Sequence, residues 1–231
     1  MSEAKSGCCS PSRSGPAQEN ASIVAKSTPD LPVAHDDVLL AGGHFHMGDH
    51  FDEGHQSDGE TPVHGVMLDP FRIDRACVTN AQFAAFTAAT DYVTEAEQFG
   101  NSAVFAPMAA AERSDVIGYF GTRWWLAVRG ADWRHPFGPL SGIAGVDHPV
   151  VHVSHNDAQA YCARAGRSLP TEAEWEFAAR GGHAGRRYPW GNELEAGGTH
   201  HANVWQGQFP DHNTAEDGWL GHRTGAQLPS Q

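Results

Sequence analysis

At 231 residues, with 26 Gly, 14 Pro and only 19% charged residues, the chain can bury a sizeable core, and its turn-rich composition points to an irregular α+β fold rather than a helical bundle. A formal net charge of −13 with no basic stripe argues against nucleic acid or anionic membrane as a partner, and no run of about 18 apolar residues offers a membrane span. The four cysteines, Cys8, Cys9, Cys77 and Cys162, fit neither a disulfide framework nor zinc spacing, so reduced thiols in a cytoplasmic protein are expected.

Residues 1–36, rich in Ser, Pro, Ala and Lys, read as a disordered arm. From Val38 to Gly48 a single strand is expected, with Gly42 and Gly43 marking a bulge and His44 and His46 on one face. His50 and His55 follow in an acidic loop, but these histidines complete no metal-ligand set and read as solvated. Residues 61–74 alternate as a half-buried strand interrupted near Pro70. Thr79 then caps a helix, Gln82 completes its box, and Phe83 and Phe86 lie on the buried side. Cys77, just before this helix, reads as a buried structural thiol.

Residues 98–147 look least regular, and their Trp124, Trp125 and Trp133 suit either a binding groove or a core with little regular structure. Arg134 and His135 lack a nucleophile that would make them catalytic. Val150, Val151 and Val153 suggest a short strand, and Ser154 with Asp157 opens a helix that Gly166 ends. Tyr161 belongs to that helix's apolar face. Thr171 and Glu174 form a T-x-x-E box for a second helix running to Arg180. Beyond the aromatic turn at Tyr188 to Asn192, Asn203, Asp211, Asn213, Glu216 and Asp217 crowd hard oxygen ligands of the kind calcium takes into one loop.

Several stretches together resemble the formylglycine-generating enzyme, or sulfatase-modifying factor, family. They are Gly42 to Gly48, Val78 to Phe83, Tyr92 to Glu97, Trp133 to Pro136, His148 to Gly182 and Glu216 to Trp219, which together span roughly residues 38–220. The resemblance implies a loop-rich fold similar to a C-type lectin over 37–220, and an oxidase that converts the cysteine of a C-x-P-x-R segment in a sulfatase to formylglycine with oxygen and copper. It implies one calcium site on the side chains of Asn203 and Asp217 and the carbonyls of Val204 and Trp219. It places Ala96 in the substrate groove, and puts Cys77 and Asn101 where acidic side chains can grip the substrate arginine, so arginine selection is weakened.

The copper(I)-binding cysteine pair of the family has no counterpart among the four cysteines, so no catalytic residue is assigned. The tail at 221–231 departs from the family pattern in a way that one inserted base would explain, and the fold is expected to be incomplete at its C-terminus, with core surface exposed. The first reading is therefore a truncated, inactive member whose partner is a sulfatase polypeptide or a C-x-P-x-R peptide. A non-catalytic, calcium-stabilised peptide binder of the same fold is the alternative. A metal hydrolase built on the histidines at 44–55 ranks last. The arm itself carries a C-x-P-x-R string, Cys9-Ser10-Pro11-Ser12-Arg13, which makes it a candidate autosubstrate or pseudosubstrate.

Overall fold

The computed structural model describes residues 35–221 apart from 55, so the expectations for the arm at 1–34, for His55 and for 222–231 lie outside the described residues. Two compact units interleave along the sequence: a flanking unit of residues 35–78, 147–149 and 167–221, and an inserted unit of residues 79–146 and 150–166.

In the flanking unit, β1 (Asp37–Leu40) pairs antiparallel with β4 (Phe71–Asp74), and β2 (Gly43–Met47) pairs antiparallel with β3 (His64–Leu68). The single strand expected over 38–48 is thus two strands with different partners. Gly42 separates them at φ 67°, where an added Cβ would lie 2.3 Å from the Leu68 carbonyl oxygen, so only glycine fits. Cys77 is exposed, which corrects the buried position expected for it.

The inserted unit opens with α1 (Asn80–Thr90), where Thr79 and Gln82 make the expected capping box. Then follow α2 (Glu95–Phe99), β5 (Asn101–Phe105), β6 (Val116–Tyr119), β7 (Trp125–Arg129) and α3 (His155–Ala165). The stretch expected to be least regular therefore holds a three-stranded antiparallel sheet in the order β5-β7-β6, with Asn101 opposite Arg129 and Phe105 opposite Trp125. Val104 and Val128 are buried at its centre with Ala131. Phe83, Phe86, Trp133 and Tyr161 form an aromatic core; Phe83 lies 5.3 Å from Trp133 and 6.0 Å from Tyr161, ring centre to ring centre. Of the two readings left open for the tryptophans, Trp133 takes the core.

The strand expected near 150–153 does not form. His152 sits at φ 58°, in the left-handed region, and an extended run cannot pass through it. Ser154 and Asp157 cap α3 as expected, and Gly166 closes it, donating its N–H to the Cys162 carbonyl.

Back in the flanking unit, α4 (Glu172–Arg180) starts at the Thr171–Glu174 box. Its Phe177 ring meets Phe45 at 5.4 Å and Phe71 at 6.0 Å, which packs the helix on both strand pairs. Glu176 accepts the Gly48 N–H at 3.0 Å while Arg180 donates to the Gly48 carbonyl at 3.0 Å. A small hairpin of β8 (Gly207–Gln208) and β9 (His212–Asn213) follows. No described helix is long and apolar enough to cross a membrane.

Candidate functional site

In the inserted unit the residues expected to line a substrate groove lie beside two helix starts. Asp157, fully buried, accepts from the Tyr92 hydroxyl at 2.9 Å, the Glu95 N–H at 3.1 Å and the Ser154 N–H at 2.8 Å. One carboxylate thereby holds the start of α2 against the start of α3. Burial first, and then the Asp157 carboxylate, push the Tyr92 phenol well above its ordinary range, so it stays a donor.

Ala96 is buried in the first turn of α2, and Asn101 is half-buried at the start of β5, where its amide donates to the Phe99 carbonyl at 3.0 Å. Between them in sequence, Glu97 accepts from the Thr94 N–H at 2.9 Å and hydroxyl at 2.7 Å, and its other oxygen pairs with Arg134. Burial acts to raise the Glu97 pKa, but the Thr94 hydrogen bonds and Arg134 outweigh it and hold the group below its ordinary value. The Arg134 guanidinium also lies 4.1 Å over the Trp133 ring, a cation held between a carboxylate and an aromatic face. Arg134 is thus bound up in positioning rather than poised for chemistry.

His152 braces the same region. Its Nε2 lies 2.6 Å from the Pro136 carbonyl, which only accepts, so Nε2 carries the proton and Nδ1 accepts from the Ser102 hydroxyl at 2.9 Å. Burial lowers its pKa below 6.5, which keeps the ring neutral.

In the flanking unit the four expected calcium ligands are drawn onto one loop. Asn203 donates to the Gly221 carbonyl at 2.8 Å and Asp217 accepts from the Trp219 N–H at 2.9 Å. Gln206 donates to the Val204 carbonyl and accepts from the Asp217 N–H at 3.5 Å. These bonds staple 203–206 to 217–221. Asp211, in contrast, sits in the turn between β8 and β9, its N–H on the Gln208 carbonyl at 3.0 Å.

An open cleft of about 700 Å³ in the same unit is lined by Met47, Trp175, Glu176, Arg180, Arg187 and Tyr188, among others. Two of its cations are neutralised within it: Arg180 pairs with Glu176 at 2.6 Å and Arg187 with Glu53 at 2.6 Å. His44 and His46 are exposed with their rings 5.0 Å apart, and among the described residues no group of three or more His, Cys, Asp or Glu is arranged to hold a metal. The histidine-based hydrolase therefore finds no support among them.

Two positioning residues escaped the reading of the sequence. Glu97 was signalled by the T-x-x-E string Thr94 to Glu97, the same box read correctly at Thr171. Gln206 carried no signal, because its partners are defined only once the loop closes on itself.

A family model described as the sulfatase-modifying factor enzyme 1-like domain matches residues 23–223. The chain is 62% identical over 185 residues to a formylglycine-generating enzyme of Streptomyces coelicolor, covering 79% of this chain and 59% of the relative. It is 50% identical over 187 residues to an inactive C-alpha-formylglycine-generating enzyme 2 of Bos taurus, covering 80% of this chain and 60% of the relative. The chain thus spans about three fifths of the length of these two relatives. Among solved structures, PvdO from Pseudomonas aeruginosa shares the fold, with a TM-score of 0.51 at 24% identity over 84% of this chain and 62% of that one.

Proposed function

Since this chain belongs to the sulfatase-modifying factor enzyme 1-like domain family, we propose that it holds a framework for gripping a sulfatase polypeptide through a C-x-P-x-R segment, the cysteine of which its enzyme relatives turn into formylglycine. The 62% identity to a formylglycine-generating enzyme is the observation that carries the reading. For the 231-residue chain itself the proposal is peptide binding without oxidation.

Two observations support that restriction. A copper(I) site needs paired soft thiolates, and neither of the described cysteines, Cys77 and Cys162, stands at a position matching the family's cysteine pair as the resemblance implies it. The described residues therefore do not fit copper, and no step is assigned to it. The 50% identity to a relative named as inactive also favours a binding role on this scaffold.

Calcium, in contrast, fits its expected donors. Asn203 spends its amide nitrogen on Gly221, which leaves oxygen as its acceptor, and Asp217 adds one formal charge. With the carbonyls of Val204 and Trp219 the set is all hard oxygen, partly from the backbone, which is calcium's preference. A bound ion would supply charge that locks the loop and takes no part in a reaction.

Arginine selection by the groove is weak in this proposal. Glu97, the carboxylate next to Ala96, is already engaged by Arg134, and Asn101 offers an amide where a bidentate contact would need a carboxylate.

A labelled C-x-P-x-R peptide tests both parts. Fluorescence anisotropy is expected to show binding that changes little when the peptide arginine is replaced by alanine. Mass spectrometry after incubation with copper and oxygen is expected to show no aldehyde. Absence of binding overturns the peptide reading, and an aldehyde product overturns the inactivity.

A further inference from the structure

We infer that Gln206 is the positioning residue of the calcium loop, acting on the ion only through the groups it fixes. The assignment rests on the calcium reading of Asn203, Val204, Asp217 and Trp219. Gln206 is buried while Asn203, Val204, Gly207 and Gln208 around it are exposed. A glutamine loses much rotamer freedom on burial and must keep its amide hydrogen-bonded there, so its position needs a cause.

The cause is its set of partners. The Val204 carbonyl can only accept and the Asp217 N–H can only donate, so the amide has one workable orientation: nitrogen to Val204, oxygen to Asp217. Its own backbone carbonyl takes the Thr214 N–H at 2.9 Å. One residue therefore ties together both segments that bear ligands and the strand return beyond β9. The Val204 carbonyl is aimed, and the Asp217 backbone is held, before any ion arrives. Ordering the loop in advance removes that cost from binding, and outer groups that orient ligands commonly matter about 10–100-fold in metal affinity.

Calcium titration of the full 231-residue chain tests this, by calorimetry and by terbium luminescence sensitised by Trp205 and Trp219. The wild-type chain is expected to bind one ion. Gln206→Met, which keeps the volume but loses both bonds, is expected to raise Kd by about 10–100-fold. Gln206→Glu keeps an acceptor for Asp217 but sets a carboxylate against the Val204 carbonyl, and is expected to weaken binding too. A direct ligand would instead gain from the added charge, so tighter binding by Gln206→Glu overturns the positioning role. Gln208→Met, exposed on β8, is expected to leave Kd unchanged.

Circular dichroism of each variant without calcium separates lost affinity from lost folding, and Gln206→Glu carries the test if the Met variant does not fold. A wild-type chain that binds no calcium removes the calcium reading and this role with it. Wild-type binding that both Gln206 variants reproduce leaves the calcium reading standing and overturns the role alone.

Discussion

Arg167 lies 130 residues from Asp37 in sequence yet donates to it at 2.7 Å, and it reaches Asp74 at 2.9 Å with its other nitrogen. Asp37 and Asp74 face each other across β1 and β4, a like-charge pair that would oppose pairing were the guanidinium not shared between them. Hydrogen bonds from Arg72 and then Arg167 draw the Asp37 pKa down from 3.8 to about 2. A folded value below the unfolded one means that the unfolded chain binds the proton first. The contribution to stability is whole above the unfolded value of 3.8 and is lost as pH falls from there through about 2. Arg167→Met is expected to move the Asp37 carboxyl back toward 3.8 without reaching it, because Arg72 remains, as followed by carbon NMR titration. An unmoved carboxyl would show that Arg167 is a bystander. His152 works in the same direction from a different cause: burial depresses its folded pKa from 6.5, so the unfolded state takes up the proton and stability declines as pH drops below that value.

Among the elements, α1 is anchored through Phe83. Phe83 is 1% exposed and its ring meets Phe86, Trp133 and Tyr161, so it joins α1, α3 and the loop after β7. Phe83→Ala is expected to cost about 3–5 kcal/mol by urea unfolding, the cost of lost transfer plus a cavity between rigid rings. A loss below about 1 kcal/mol would mean that the aromatic cluster collapses to fill the gap. The element starts were legible in the sequence because a capping box is a local code: Thr79 with Gln82, Ser154 with Asp157 and Thr171 with Glu174 each open the helix expected of them. The β5-β7-β6 sheet was not legible. Its strands are short, the register of β6 shifts between Val116 and Gly118, and the pairing of Asn101 with Arg129 is specified by the core beneath rather than by neighbours in sequence. Nor was the failed strand before α3, where Val151 and Val153 favour extension but the bonds of His152 to Ser102 and Pro136 fix a left-handed turn between them. In the candidate site, the oxygen-rich composition of the loop from Asn203 to Asp217 could be read from the sequence, whereas the hydrogen bonds of Gln206 that tie it together could not.

Taken whole, the described chain leaves large apolar side chains in water. In the flanking unit Leu39, Met67, Trp175, Phe209 and Leu220 are each at least half exposed. Exposed apolar area of this kind favours association. Trp175→Gln is expected to reduce dye binding and concentration-dependent self-association, read by ANS fluorescence and light scattering, while stability changes by no more than about 0.5 kcal/mol. A variant that aggregates as much as the parent would place the sticky surface elsewhere.

The chain passes between the two units at 78/79, 146/147, 149/150 and 166/167. On the ribosome, every residue of the inserted unit has been made by residue 166, whereas β1 and β4 are by then still waiting for Arg167 to part their two aspartates, and Gly48 for Glu176 and Arg180 to grasp it. The earliest described residues to be translated are therefore among the last to be secured, and a holdase that shields β1 to β4 during elongation would cover the interval in which these strands lack those contacts.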